Sequence, residues 1–146
     1  IKIKLGVDSI SEWCYTVYIV TNKGNHMYNT VKTFKVDNFD VEVAWAYEDM
    51  PIRDCFDETE EEFAAMQARC ENYTDTHYQL RVLAKYDDVE MGSAYLGSCY
   101  AAGMDPAQDI EDGVGGYLQD FVSEAVSEAQ NEAVAMLDRL KTDFLN

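Results

Sequence analysis

Residues 76–86 read THYQLRVLAKY, and the fold turns on that stretch. Tyr78, Leu80, Val82, Ala84 and Tyr86 alternate with His77, Gln79, Arg81, Leu83 and Lys85. Alternation at period two gives a strand one apolar face; a helix would repeat its apolar residues at three and four. Asp87-Asp88 follows as a turn. Residues 89–101 then return as an antiparallel strand, with Gly92 and Gly97 marking bulges or close approach. A helix from Ser93 competes there, because Ala94, Leu96 and Ala101 do not discriminate.

Toward the N-terminus, Val41, Val43, Trp45 and Tyr47 alternate with Glu42, Ala44, Ala46 and Glu48. This predicts a half-buried strand, ended by Pro51, which cannot donate to a ladder. Further upstream, residues 12–20 and 26–36 are rich in β-branched and aromatic side chains and flank the turn residues 22–25. They predict an N-terminal hairpin, and residues 1–5 a short strand before it. Between the strands, residues 57–73 predict a helix. Thr59 and Glu62 fit a capping box, and Phe63, Met66 and Cys70 form a thin apolar stripe. Asp105-Pro106 predicts a short helical turn closed by Gly113. After Gly115-Gly116, residues 117–144 predict a long amphipathic helix, with Leu118, Phe121, Val122, Ala125, Ala129, Ala133, Met136, Leu137, Leu140 and Phe144 at helical spacing. The expected architecture is a single α+β domain over residues 1–146. An antiparallel β-sheet of about four to six strands begins with the N-terminal hairpin, and a short helix and the long C-terminal amphipathic helix pack on one face.

Hydrophobic residues at 47% and aromatics at 12% exclude disorder for most of the chain. No apolar run approaches the ~20 residues that span a bilayer, and the first residues carry no signal-peptide pattern, so a cytoplasmic location is expected. The four cysteines, Cys14, Cys55, Cys70 and Cys99, show no zinc spacing and read as reduced, mostly buried thiols. The net charge is −17 and unevenly spread: residues 1–35 hold five Lys against two acids, and residues 36–146 hold 26 acids against six bases. Direct nucleic-acid binding and attraction to anionic membranes are excluded, since both need Lys and Arg facing phosphate.

The last helix carries the most informative constellation. Asp120, Glu124, Glu128 and Glu132 stand at consecutive i, i+4 positions, where like charges destabilise a helix by roughly 0.2–0.5 kcal/mol per pair. Residues 105–132 contain eight acids and no base. The bland reading is a solvated face. The functional one is a row of carboxylates imitating phosphates. The row spans ~18 Å, with roughly half the charge density of one DNA strand. The expected partner-binding residues are therefore this row, helped by Asp109, Glu111 and Asp112, and by Asp57, Glu58 and Glu61.

Other chemistry finds no support. Gly113 cannot serve as the sixth residue of an EF-hand, because Gln108 and Ile110 would take the first and third positions. His26 and His77 lack a ligand motif and read as strand-face histidines. No nucleophile elbow or Walker motif occurs. No catalytic residue, metal or cofactor is expected. Of the ten tyrosines, Tyr78 reads as core, with Trp13 and Trp45, whereas Tyr73, Tyr95, Tyr100 and Tyr117 are interface candidates.

In size, acidity and aromatic content the chain is similar to DNA-mimic inhibitors encoded by phages and mobile elements, among them anti-restriction and anti-CRISPR proteins. The similarity is compositional and carries no residue over. It implies a non-enzymatic inhibitor that occupies the basic nucleic-acid channel of a bacterial defence or DNA-processing protein. The alternative is a small oligomeric accessory domain whose acidity serves solubility, with a second copy packed on Ala125, Ala129 and Ala133.

Overall fold

The computed structural model describes residues 27–145. The alternation at residues 76–86 forms β3 (Thr76–Tyr86), which pairs with β2 (Phe39–Tyr47) on one side and β4 (Val89–Ala101) on the other. With β1 (Asn29–Val36) outside β2, the described strands form one antiparallel sheet in the order β1-β2-β3-β4. Residues 1–5 and the first strand and turn of the expected N-terminal hairpin lie outside the described residues. The second strand of that hairpin is β1, which itself opens the described sheet as a hairpin with β2. Asp87 and Asp88 both adopt positive φ, 48° and 63°, so the β3–β4 connection is a tight turn whose twist matches its strands.

The competition at residues 89–101 resolves as strand because two bulges absorb the irregular pattern. Ala84 faces Gly92 and Lys85 faces Glu90, which leaves Met91 extra; Leu80 faces Leu96 and Tyr78 faces Cys99. Ser98 takes φ 60° in the second bulge.

One face of the sheet holds the main core: Val41, Val43, Tyr78, Leu80, Val82, Leu96 and Cys99 are fully buried. The remaining helices are α1 (Ile52–Cys55), α2 (Glu60–Glu71), α3 (Pro106–Glu111) and α4 (Leu118–Phe144). α4 lies on this core face through Leu118, Val122, Ala125, Val126 and Ala129. Its seat is set at Gly92, where an added Cβ would lie 2.1 Å from the Ala125 carbonyl oxygen and 2.5 Å from the Ala129 nitrogen. Strand and helix backbones touch there, so only glycine fits. Ala125 and Ala129 are thus fully buried within the fold, and that small-residue edge is not available to a second copy.

α2 does not share the face with α4. Phe56 packs at 5.6 Å from the His77 ring and 5.8 Å from the Tyr100 ring, and Ile52, Cys55 and Met66 complete a smaller core. His77 and Tyr100 are paired across β3 and β4, one position from Tyr78 and Cys99, and therefore project from the opposite face. The capping box of α2 forms as expected: the Glu62 N–H donates to Thr59 Oγ1 at 3.2 Å, and the Thr59 N–H to Glu62 Oε2 at 3.1 Å. α3 begins with the Gln108 N–H donating to Asp105 Oδ1 at 2.9 Å, and Gly113 ends it at φ 89°. No described helix is long and apolar enough to cross a membrane.

Candidate functional site

Burying one stripe of α4 leaves its flanks to the polar residues between. Asp120, Glu124, Glu128 and Glu132 fall on one flank, on the side of β4, an outer strand of the described sheet. Glu128 fixes that placement, because its Oε2 accepts the Ser93 backbone N–H at 3.0 Å. The carboxylate thereby ties the helix to a backbone donor of the strand. A cleft of about 530 Å³ runs between strand and helix here, lined by Glu90, Ser93, Glu128, Asn131 and Glu132. Partial burial and then the charge of Glu128 raise the Glu124 carboxyl above the usual carboxylate range. The Glu124 shift marks the crowding of like charges along the row. On the reverse face of β4, burial and the nearby Glu90 push the Tyr95 phenol up to about 12 against the opposing charge of Arg81. Glu132 gives part of its charge to Arg139, whose guanidinium lies 2.7 Å away, whereas Asp120 is exposed in the first turn.

The other expected residues are placed differently. Asp109 accepts the hydroxyl of the fully buried Tyr78 at 2.7 Å, anchoring α3 to the core; burial raises that phenol strongly. Glu111 pairs with Lys32 of β1 at 3.6 Å, and Asp112 accepts from Gln108 Nε2 at 3.0 Å. Glu111 and Glu128 thus sit by opposite outer strands of the described sheet. Asp57, Glu58 and Glu61 lie at the start of α2, across the sheet from the α4 row. The ten acids form a continuous row of four on α4, a group of three on α3 engaged with the fold, and a separate cluster of three on the far face.

Pattern reading did not anticipate the polar assembly under α2. The Asp75 carboxylate, almost fully buried, accepts Arg69 Nε and a second guanidinium nitrogen at 2.6 and 2.9 Å, the Tyr100 hydroxyl at 2.6 Å and the Gly103 N–H at 2.8 Å. The Arg69 hydrogen bonds lead in holding its pKa down to about 2. Burial pushes His77 down to about 4, and its Nε2 has no hydrogen-bond partner among the described residues. Beside it, Glu48 accepts the Met50 and Ser98 N–H groups at 3.1 and 2.9 Å. A cleft of about 480 Å³ opens here, lined by Tyr47, Glu48, Cys70, Tyr73, Asp75 and His77. Arg69, Asp75 and Tyr100 share no period or motif, so only the fold could bring them together.

Of the interface tyrosines, Tyr73 is 87% exposed and Tyr117 lies at the surface, while Tyr95 and Tyr100 are half-buried. Trp45 and Tyr78 meet edge-on at 6.4 Å in the core, and Trp13 lies outside the described residues. Cys55 and Cys99 are buried and Cys70 half-buried, all as free thiols; burial pushes Cys55 up to about 11, which makes it a poor nucleophile. Cys14 and His26 lie outside the described residues. Among the described residues no three His, Cys, Asp or Glu side chains converge as a metal site. Compared with known proteins, the chain matches no family model, no curated protein and no solved structure.

Proposed function

We propose that the chain is a non-enzymatic inhibitor that mimics nucleic acid and acts in the bacterial cytoplasm by occupying the basic channel of a defence or DNA-processing protein. One observation carries the reading: the row Asp120, Glu124, Glu128 and Glu132 runs along one flank of α4 on the side of β4, with Glu90 close enough to add to it. The rest of the fold supports the row by holding it rigidly, since α4 is seated backbone to backbone on β4 at Gly92. A rigid array of charges costs little ordering on binding. Its field would speed the encounter with a basic channel and orient it.

The reading narrows the expected contact surface. The α4 row is the primary surface. Asp109, Glu111 and Asp112 serve mainly to attach α3, and Asp57, Glu58 and Glu61 would touch the same partner only if it wrapped around the sheet.

The test is retention of a nucleic-acid enzyme or defence complex from bacterial lysate on the immobilised protein. Mimicry requires release by salt and by competing duplex DNA. Asp120→Asn, Glu124→Gln and Glu128→Gln combined should abolish retention. The amide introduced by Glu128→Gln still offers an acceptor to the Ser93 N–H, so the seat of α4 is kept. The far-face set Asp57→Asn, Glu58→Gln and Glu61→Gln should leave retention intact. Retention that survives the α4 substitutions, or that competing DNA fails to release, overturns the reading.

A further inference from the structure

The stripe that seats α4 does not stop where the sheet does. Leu118, Val122, Ala125 and Ala129 are buried on the core, and Ala133 is half-covered. Leu137, Leu140 and Phe144 continue the same face at four- and three-residue steps, the spacing of a helix–helix seam. From Val134 to Leu145 every residue is exposed, so the last three turns of α4 project beyond the described sheet, and no described residue covers their apolar face. Between this overhang and the tip of the sheet lies a groove of about 740 Å³, lined chiefly by Phe39, Tyr86, Met91, Ala133, Leu137 and Leu140.

We propose that the overhang and groove are a homodimer interface, in which the α4 overhang of a second copy docks by a two-fold axis into the groove of the first. Such an interface uses one patch twice, so each copy must offer both a projecting apolar helix and a groove to receive it. This patch has both. Val134, Met136, Leu137, Leu140, Phe144 and Leu145 are between 40% and 77% exposed, and Tyr86 is 52% exposed. At roughly 150 Å² per large side chain, these exposures amount to about 600 Å² per copy. Two copies then bury at most about 1,200 Å², the lower end of the range for specific interfaces. An apolar patch of that area is also at the upper end of what a monomer leaves uncovered.

Charge selects the second copy over other docking modes between such anionic chains. Residues 105–132 hold eight acids and no base, so two copies repel through most of their surface. The overhang is balanced, with Asp138 and Asp143 against Arg139 and Lys141. The groove is rimmed by Asp37, with Asp87 and Asp88 in the adjoining turn, an acidic border for Lys141 of the arriving helix, while Arg139 stays with Glu132. None of the four α4 acids lines the groove, so the dimer does not depend on the inhibitor reading and leaves the row free.

Sedimentation equilibrium of the full chain tests this. The expected mass is twice 16.6 kDa, falling toward the monomer value on dilution through the micromolar range. Leu137→Asp with Leu140→Asp should give a monomer with an unchanged circular dichroism spectrum, since neither side chain contributes to the core. Should that pair disturb the fold, Met136→Lys with Phe144→Lys tests the same surface at more exposed positions. A monomeric wild-type chain, or a dimer that persists in whichever pair stays folded, overturns the proposal.

Discussion

Under α4 the inward positions of β2 and β3 are Val41, Val43, Tyr78, Leu80 and Val82, all fully buried; on the reverse face the matching stretch of β3 presents His77, Gln79 and Arg81. The first face is held by volume and area, which are non-directional. The second holds the smaller apolar core around Phe56 and adds directed contacts to it. Arg81 donates to Glu42 at 2.9 Å and lies 3.9 Å over the Tyr28 ring; Lys85 donates to the other oxygen of Glu42 at 2.7 Å; Asp75 collects four donors. One sheet thus carries a core that resists changes in shape and a polar layer that resists changes in hydrogen bonding. Substitutions on the two faces should fail for different reasons and by different amounts.

The largest effect is expected at Gly92. A side chain there meets backbone atoms of α4, which cannot swing aside as a side chain would. Gly92→Val should cost about 3 kcal/mol or more in chemical denaturation, because the helix must lift from the sheet to admit it. A loss under ~1 kcal/mol would show that the helix face is softer than its packing implies. Next is Asp75→Asn, which keeps the shape but removes the charge and turns one acceptor into a donor facing Arg69 or Tyr100. Hydrogen bonds to charged groups carry about 1.5–3 kcal/mol, so a loss of about 2 kcal/mol is expected from the shift in urea midpoint at unchanged slope. No measurable shift would mean that the directed contacts of this face add nothing net to stability.

How much of this was legible follows the same division. Elements whose signal is local were readable: the alternation of β3, the Thr59–Glu62 box, the Asp105-Pro106 start of α3, and the close approach at Gly92. The α4 row was readable for the same reason, because i, i+4 spacing is a property of the helix alone. Placement was not readable. Nothing in residues 57–73 tells which face of the sheet will receive Met66, so the separation of Asp57, Glu58 and Glu61 from the α4 row needed the fold. Nor does any local pattern join Arg69, Asp75 and Tyr100, which meet only after β3 and β4 pair. The small residues Ala125 and Ala129 were readable as a contact seam, but their partner is Gly92 of the same chain rather than another copy.

The smallest effect at neutral pH, and the sharpest separation of the faces, is expected from His77→Phe. Burial against Phe56 lowers the pKa of His77 from 6.5 to about 4, with Glu48 opposing the shift. The folded chain therefore favours the neutral ring, while the unfolded chain takes up the proton from about pH 6.5 downward. Stability attributable to the neutral ring is complete above pH 6.5 and falls as the pH drops toward 4, by about 1.4 kcal/mol per pH unit inside that window. Phenylalanine has no proton to gain and no buried Nε2 to leave unpaired, so His77→Phe should be neutral or stabilising by about 1 kcal/mol at pH 7. Its advantage over wild type should then widen between pH 6.5 and 4. Asp75 titrates lower: its pKa falls from 3.8 to about 2, so its contribution is lost only as the pH falls through that range, and this limb should survive in the variant. Denaturation of both chains from about pH 7 to about pH 3 decides the matter. A difference that stays constant across the window would mean that His77 is not held neutral by the fold, and that this part of the polar face is open to water.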